Sequence, residues 1–192
     1  MSIRRKYEGW GIRLRFKWED ENKILIIGVG KVPDSEKQQI ATYIRGLLDQ
    51  FGLSFGVEVV ASGSHLTGSI REVLQSSLSA NQLDSDSALA DLNKRRKEEL
   101  SLRPAIVVKV NPSEYKFTDP KAIYGVGEPD GLVILRFAHE EAVIHEMGHM
   151  LGIGSHCQKS PDCVMKWECP SKNFCESCAA RLKALWCYTE PQ

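Results

Sequence analysis

The sequence predicts an α/β fold of the α+β kind, a mixed and twisted sheet with helices laid on it, followed by a small cysteine-rich tail. Three observations lead there. Strand-like and helix-like segments alternate through the first hundred residues, which implies crossover connections between sheet strands. One helix with a strong apolar face carries the pattern HEMGH at 145–149. All six cysteines, at 157, 163, 169, 175, 178 and 187, fall after that helix.

The elements follow from local pattern. In GIRLRFKW (11–18), Ile12, Leu14, Phe16 and Trp18 alternate with basic residues, the period of a half-buried strand. KILIIGV (23–29) is a second strand beyond the turn-like EDEN, so a hairpin is expected between the two. Pro33-Asp34-Ser35 opens a helix with Ile40, Ile44, Leu47, Leu48 and Phe51 on one face, and Gly52 stops it. SFGVEVVA (54–61) is a strand, and 69–80 and 85–100 read as helices, the second ending in NKRRKEEL, a solvated face with i,i+4 charge pairs. Pro104 ends that helical region, and PAIVVKV is a continuous apolar run suited to a buried strand. AIYGV (122–126) and GLVILRF (131–137) are shorter strands about the turn GEPDG. The glycines of IIGVGKVP do not form a dinucleotide fingerprint, because Pro33 stands where its third glycine belongs.

With 192 residues the chain fits one domain with a sizeable core. Its 25 Lys plus Arg balance 25 Asp plus Glu, so no net field draws it to nucleic acid or an anionic membrane. No apolar run is long enough for a secretion signal or a membrane span, and a soluble, cytoplasmic, monomeric protein is expected. In a reducing compartment, clustered cysteines read better as zinc ligands than as a disulfide framework.

From Phe137 to Leu151 apolar residues repeat at helical spacing. On a helix, residues four apart lie about 40° from each other and about 6 Å along the axis, so His145 and His149 project side by side and can chelate one zinc ion. Glu146 lies about 100° further round, off the chelate but within reach of a water on the metal. Gly152 lets the chain leave the helix by a left-handed turn and bring His156 back toward the same metal. Three neutral histidines with an open fourth position make a catalytic zinc site, since a structural one is closed by protein ligands. His65, in a Gly- and Ser-rich loop, and His139, at the helix start, read as surface or capping residues.

On these motifs the chain resembles the metzincin metallopeptidases, whose signature is HExxHxxGxxH followed by a methionine turn. More narrowly, HEMGHMLGIGSHC, the CVM at 163–165 and the CESC at 175–178 look like an archaemetzincin, a family with a cysteine zinc site directly behind the catalytic motif. The resemblance implies a metzincin-like zincin with a catalytic zinc on His145, His149 and His156, Glu146 as general base, and Met165 as the methionine beneath the metal. It also implies a second, structural zinc on Cys157, Cys163, Cys175 and Cys178. Cys175 and Cys178 form a CxxC knuckle, and four thiolates suit a tetrahedral site. Cys169 and Cys187 remain over, and either can in principle replace one of the four. The chain departs from the family in four places: the loop GIGSH is one residue longer than the signature, five residues and not four separate Cys157 from Cys163, nine and not seventeen separate Met165 from Cys175, and Trp167 stands where many metzincins have a tyrosine.

The expected organisation is one catalytic domain, 1–192, with an N-terminal subdomain 1–152 ending in the active-site helix and a C-terminal subdomain 153–192 holding the cysteines. The expected activity is hydrolysis of a peptide bond in a peptide or protein substrate by a zinc-bound water, with Glu146 moving its proton. AIYGV is a candidate edge strand for pairing with an extended substrate. The alternative is a zinc-stabilised protein that binds a peptide or partner with little turnover. A zinc-ribbon nucleic-acid binder ranks last, because acidic residues offset the lysines around the cysteines.

Overall fold

A computed structural model describes residues 23–79, 82–99, 104–118, 124–129, 131–168 and 171–186. In chain order its elements are β1 (Lys23–Val29), α1 (Asp34–Gln50), β2 (Gly56–Val59), α2 (His65–Ser76), β3 (Leu78–Ser79), β4 (Gln82–Leu83), α3 (Ser85–Glu99), β5 (Ala105–Val110), β6 (Lys116–Phe117), β7 (Gly125–Glu128), β8 (Leu132–Leu135), α4 (Glu140–Met150) and α5 (Glu176–Trp186). Five strands form the main sheet in the order β2-β1-β5-β8-β7, and β3-β4-β6 form a small second one. β1, β2, β5 and β8 run parallel, whereas β7 is antiparallel to β8 and outermost among the described strands. The mixed sheet expected from the alternating pattern is therefore present.

Both faces of this sheet are covered, which is why β1, β5 and β8 read as near-continuous apolar runs. Ile24, Ile26, Ala105, Val107, Val133 and Leu135 face α1 and α4, in one cluster with Ile40, Ile44, Leu47, Leu48, Val143, Met147 and Met150. Ile27, Val29, Ile106, Val108, Val110, Leu132 and Ile134 form the other cluster, with Ile70, Leu74, Leu89 and Leu92 of α2 and α3. Each such fully buried aliphatic side chain contributes about 1.5–3 kcal/mol, so the two clusters hold the sheet from both sides. Ile153, Val164, Met165, Cys163 and Leu182 join the first cluster, so the C-terminal segment packs on the same core as α4.

Basic side chains lock the ends of these layers. Lys37 is buried, with Nζ 2.6 Å from Asp34 Oδ1 and donating to Ser62 Oγ at 2.9 Å. Lys109, also buried, donates to the Val110 carbonyl at 2.7 Å and lies 3.5 Å from Glu36 Oε1. Burial lowers the Lys109 pKa, and Glu36 only partly opposes this. Arg96 donates to the carbonyls of Pro104 and Gly131, fastening α3 to the approaches of β5 and β8.

The structure corrects several expectations. The strand over 11–18 lies outside the described residues, and β1 has parallel neighbours on both edges, which leaves no free edge for the expected hairpin. α2 begins at His65, four residues before the expected start, because Ser64 caps it by accepting from the Thr67 N–H at 3.1 Å. Its expected end is shortened too, since Leu78–Ser79 pair with Gln82–Leu83. α4 begins at Glu140, because His139 is still extended at φ −70° and ψ 143°. Gly127 and Glu128, read as turn, belong to β7. Among the described residues, no helix is long and apolar enough to cross a membrane.

Candidate active site and metal centres

α4 crosses behind the sheet edge with Val143, Met147 and Met150 in the core and His145 and His149 on another face. The ring nitrogens of the two histidines are fixed by backbone carbonyls. His145 Nδ1 lies 2.7 Å from the Val164 oxygen, and His149 Nδ1 lies 2.6 Å from the Ile153 oxygen. A carbonyl can only accept, so each Nδ1 carries the proton and each Nε2 presents a lone pair. Those two Nε2 atoms lie 3.2 Å apart, close to the roughly 3.3 Å expected for two nitrogens sharing a tetrahedral zinc at about 2.0–2.1 Å. Two facing lone pairs repel unless a cation lies between them, so the pair fits a metal.

The turn after α4 brings in the third histidine. Gly152 adopts φ 109°, its N–H donating to the His149 carbonyl at 3.0 Å, while the Ile153 N–H reaches Gly148 at 2.9 Å. Beyond it, exposed Gly154 and Ser155 take up the extra loop residue. His156 then lies with ring centroids 5.2 Å from His145 and 5.1 Å from His149, and one ligand atom from each of the three falls within 4.8 Å of the others. Burial lowers all three imidazole pKa values, His145 to about 4, which favours the neutral rings a metal needs.

Glu146 is 5 % exposed and faces β7. A Cβ on Gly127 would sit 2.5 Å from the Glu146 carbonyl oxygen and 3.2 Å from its Oε2, and one on Gly125 would sit 3.2 Å from its Cγ. The glycines of the edge strand therefore make the room that Glu146 occupies. Their GVG spacing was visible in the sequence, but it gained meaning only once β7 was known to lie against α4. Burial pushes the Glu146 pKa up to about 8. A divalent cation at the neighbouring histidines works the other way and favours the carboxylate.

Met165 is fully buried, and a Cβ on Gly148 would meet its Sδ at 2.4 Å, so the methionine packs directly against α4. Backbone bonds hold this turn: the Cys157 N–H donates to the Met165 carbonyl and the Val164 N–H to Asn173, each at 2.7 Å. Val164 is also the residue whose carbonyl orients His145. At the far end of α4, Trp186 of α5 donates from Nε1 to the Leu151 carbonyl at 2.8 Å, satisfying an oxygen left free by the end of the helix. Nothing in the local sequence pattern signalled that contact.

Cys157, Cys163, Cys175 and Cys178 converge, one sulfur from each lying within 4.8 Å of the rest. Cys157 Sγ is 3.6 Å from Cys175 Sγ, near the roughly 3.8 Å edge of a tetrahedron with Zn–S of about 2.3 Å. The Cys175 N–H points to Cys163 Sγ at 3.3 Å. Burial alone would raise the Cys157 pKa, but the backbone N–H groups of Lys159 and Ser160 and the adjoining thiols bring it down to about 7. Burial, then crowding by neighbouring thiols, raises Cys178. Four sulfurs that cannot all ionise alone but converge within one metal ion's reach fit a closed zinc site. Cys169 and Cys187 lie outside the described residues.

Other residues fall elsewhere. His65 is exposed at the first turn of α2, and His139 is the exposed residue preceding α4, with no side-chain capping bond. His139 instead lines a cavity of about 360 Å³ with Glu36, Gln39, Tyr43, Ala138, Glu140 and Glu141, between α1 and the start of α4, and none of the clustered histidines or cysteines lines it.

The model of peptidase family M54 matches residues 127–184, which run from β7 through both clusters into α5. No curated protein matches the chain in sequence. Among solved structures, the archaemetzincin of Methanopyrus kandleri superposes with a TM-score of 0.59 at 14% identity, over 86% of this chain and 95% of that one. The family match supports a zinc metallopeptidase, a hydrolase of peptide or protein substrates. Residues 127–184 thus carry the signature of peptidase family M54, the archaemetzincin family, and the chain around them has the archaemetzincin fold.

Proposed function

We propose that the chain is a metzincin-type zinc metallopeptidase whose histidine cluster is catalytic and whose cysteine cluster is structural. The observation that carries the reading is the convergence of His145, His149 and His156 beside the buried carboxyl of Glu146. Three protein ligands leave a tetrahedral ion one open position, whereas four cysteines leave none. Zinc at the histidines supplies an acidified water and a polarised scissile carbonyl. Glu146 takes the water's proton at its carboxylate and delivers it to the departing amine. Its burial beside β7 excludes bulk water and makes it a stronger proton acceptor than an exposed carboxylate once the cation ionises it.

β7 gives the substrate a template. It is the outermost described strand of the main sheet and its glycines pack against Glu146, so an extended peptide paired along it passes the histidine cluster. Residues 1–152 and 153–192 act as the two subdomains of one catalytic domain, the second clipped by its own zinc. We place the enzyme in the cytoplasm as a monomer, acting on peptides and engaging neither nucleic acid nor membrane, a reading supported by the charge balance of the sequence.

The test is Glu146→Gln. The variant is expected to keep both zinc ions and its fold while peptide hydrolysis falls by about 10²–10⁴-fold. Hydrolysis within a few-fold of the native rate would exclude Glu146 as the base.

A further inference from the structure

Trp167 is the exposed large hydrophobic residue among the described residues, 39 % accessible. It lies on His156, with ring centroids 4.5 Å apart and planes inclined at 56°. A surface indole applied to a single imidazole needs an explanation, and the three histidines differ in a way that supplies one.

His145 and His149 stand on one turn-and-a-bit of a packed helix, and each is oriented by a short Nδ1 contact to a backbone carbonyl. Such outer partners fix a ligand's ring and are normally needed to hold a metal firmly. His156 has neither advantage. It follows the exposed residues Gly154 and Ser155, and a Cβ on Gly154 would meet nothing within 4 Å, so the loop before it is not packed. Among the described residues, no hydrogen bond holds its ring. Its backbone is secured one residue later, where the Cys157 N–H bonds Met165, but that leaves the ring free to turn about its own side-chain torsions.

We infer that Trp167 is the positioning residue of the third metal ligand, its indole face doing for His156 what the Val164 and Ile153 carbonyls do for His145 and His149. The placement suits the task. Trp167 follows Met165 by two residues, directly after a turn pinned beneath α4 by the Met165 side chain and by the Lys166 N–H donating to the Cys163 carbonyl at 2.9 Å. Aromatic pairs of this kind contribute orientation as well as contact area. An imidazole confined to few rotamers loses less freedom on binding a metal, so the open, lengthened loop can still present a prepared ligand.

This inference rests on the reading of His156 as a ligand of the histidine site, and the experiment separates the two. The native protein is loaded with Co²⁺ at both sites. The d–d absorption of the histidine site, the sulfur-to-cobalt charge-transfer band of the cysteine site, and the rate of cobalt extraction by a chelator are then followed in Trp167→Leu, Trp167→Phe and His156→Ala. Trp167→Leu is expected to lose histidine-site cobalt about tenfold faster or more, with the charge-transfer band unchanged, and Trp167→Phe to restore most of the native rate. An unchanged spectrum and release rate in Trp167→Leu, while His156→Ala abolishes the histidine-site band, would overturn the role of Trp167 alone. A native band in His156→Ala would overturn both. Because Trp167 is at the surface and the cysteine-site band reports the fold of the tail, a generally unfolded variant is recognised by loss of that band, and equal loss in the Leu and Phe variants also overturns the inference.

Discussion

Small residues set the tolerances of the site. Gly148 faces the Met165 sulfur and Gly127 faces the Glu146 carbonyl, both closer than a methyl group allows. Gly148→Ala must displace the buried Met165 side chain, on the turn that carries the Val164 carbonyl and accepts from the Cys157 N–H. Overpacking of this kind costs about 1–3 kcal/mol, so chemical denaturation of Gly148→Ala is expected to show that loss together with weaker zinc retention. Gly154→Ala is the control: its Cβ meets nothing, no positive φ constrains it, and its stability is expected to stay within about 0.5 kcal/mol of native. Equal damage from the two substitutions would show that loop length, and not packing under α4, governs the site.

Elements carry the coupling between sites. The turn at 163–165 is shared: Cys163 ends in the cysteine cluster, Val164 orients His145, and Met165 supports α4. Cys178→Ser is therefore expected to remove the cysteine-site zinc, lower the melting temperature, and loosen the histidine site through the same turn. Zinc content and thermal unfolding read this together, and a variant that loses one zinc yet holds the other as tightly as the native chain would show the two sites to be independent. On another strand of the sheet, Lys109 joins β5 to Glu36 of α1. Burial depresses its pKa below 10.5, so the unfolded chain binds the extra proton between the depressed value and 10.5. Stability conferred by this residue thus rises as pH climbs through that window and is lowest below it. The stability of the native protein relative to Lys109→Met is expected to grow over that range, and a difference that is flat with pH would show that Lys109 keeps an ordinary pKa.

At the scale of the molecule, what could be read from sequence was what repeats locally. α1 was legible to its last turn because Ile40, Ile44, Leu47 and Leu48 share one face and Gly52 ends it at φ 65°. β5 was legible because both its faces are buried. HEMGH was legible because four-residue spacing on a helix is geometry, and the resemblance of the tail to the archaemetzincins supplied the cysteine set that converges in the fold. The rest depends on distant parts of the chain. The pairing of β1 with β2 and β5 is fixed by crossovers, not by the neighbouring turn. Two-residue strands such as β3 and β6 carry no period. The buried Lys109 and Arg96 have no local signal, because Glu36 of α1 and the carbonyls of Pro104 and Gly131 meet them from other parts of the chain, whereas Lys37 pairs within its own helix with Asp34. The glycines of β7 and the indole of Trp167 became interpretable only beside Glu146 and His156.

The edge of the sheet, α4 and the cysteine-rich tail meet at three histidines. The decisive quantity is the number of zinc ions bound per chain, measured on the native protein and on His149→Ala alongside peptide hydrolysis. Two zinc ions in the native chain, one in the variant, and loss of hydrolysis with the second ion are expected. A native chain that binds a single zinc, removed by substituting the cysteines and untouched in His149→Ala, would contradict a catalytic metal and leave a zinc-stabilised binding protein in its place.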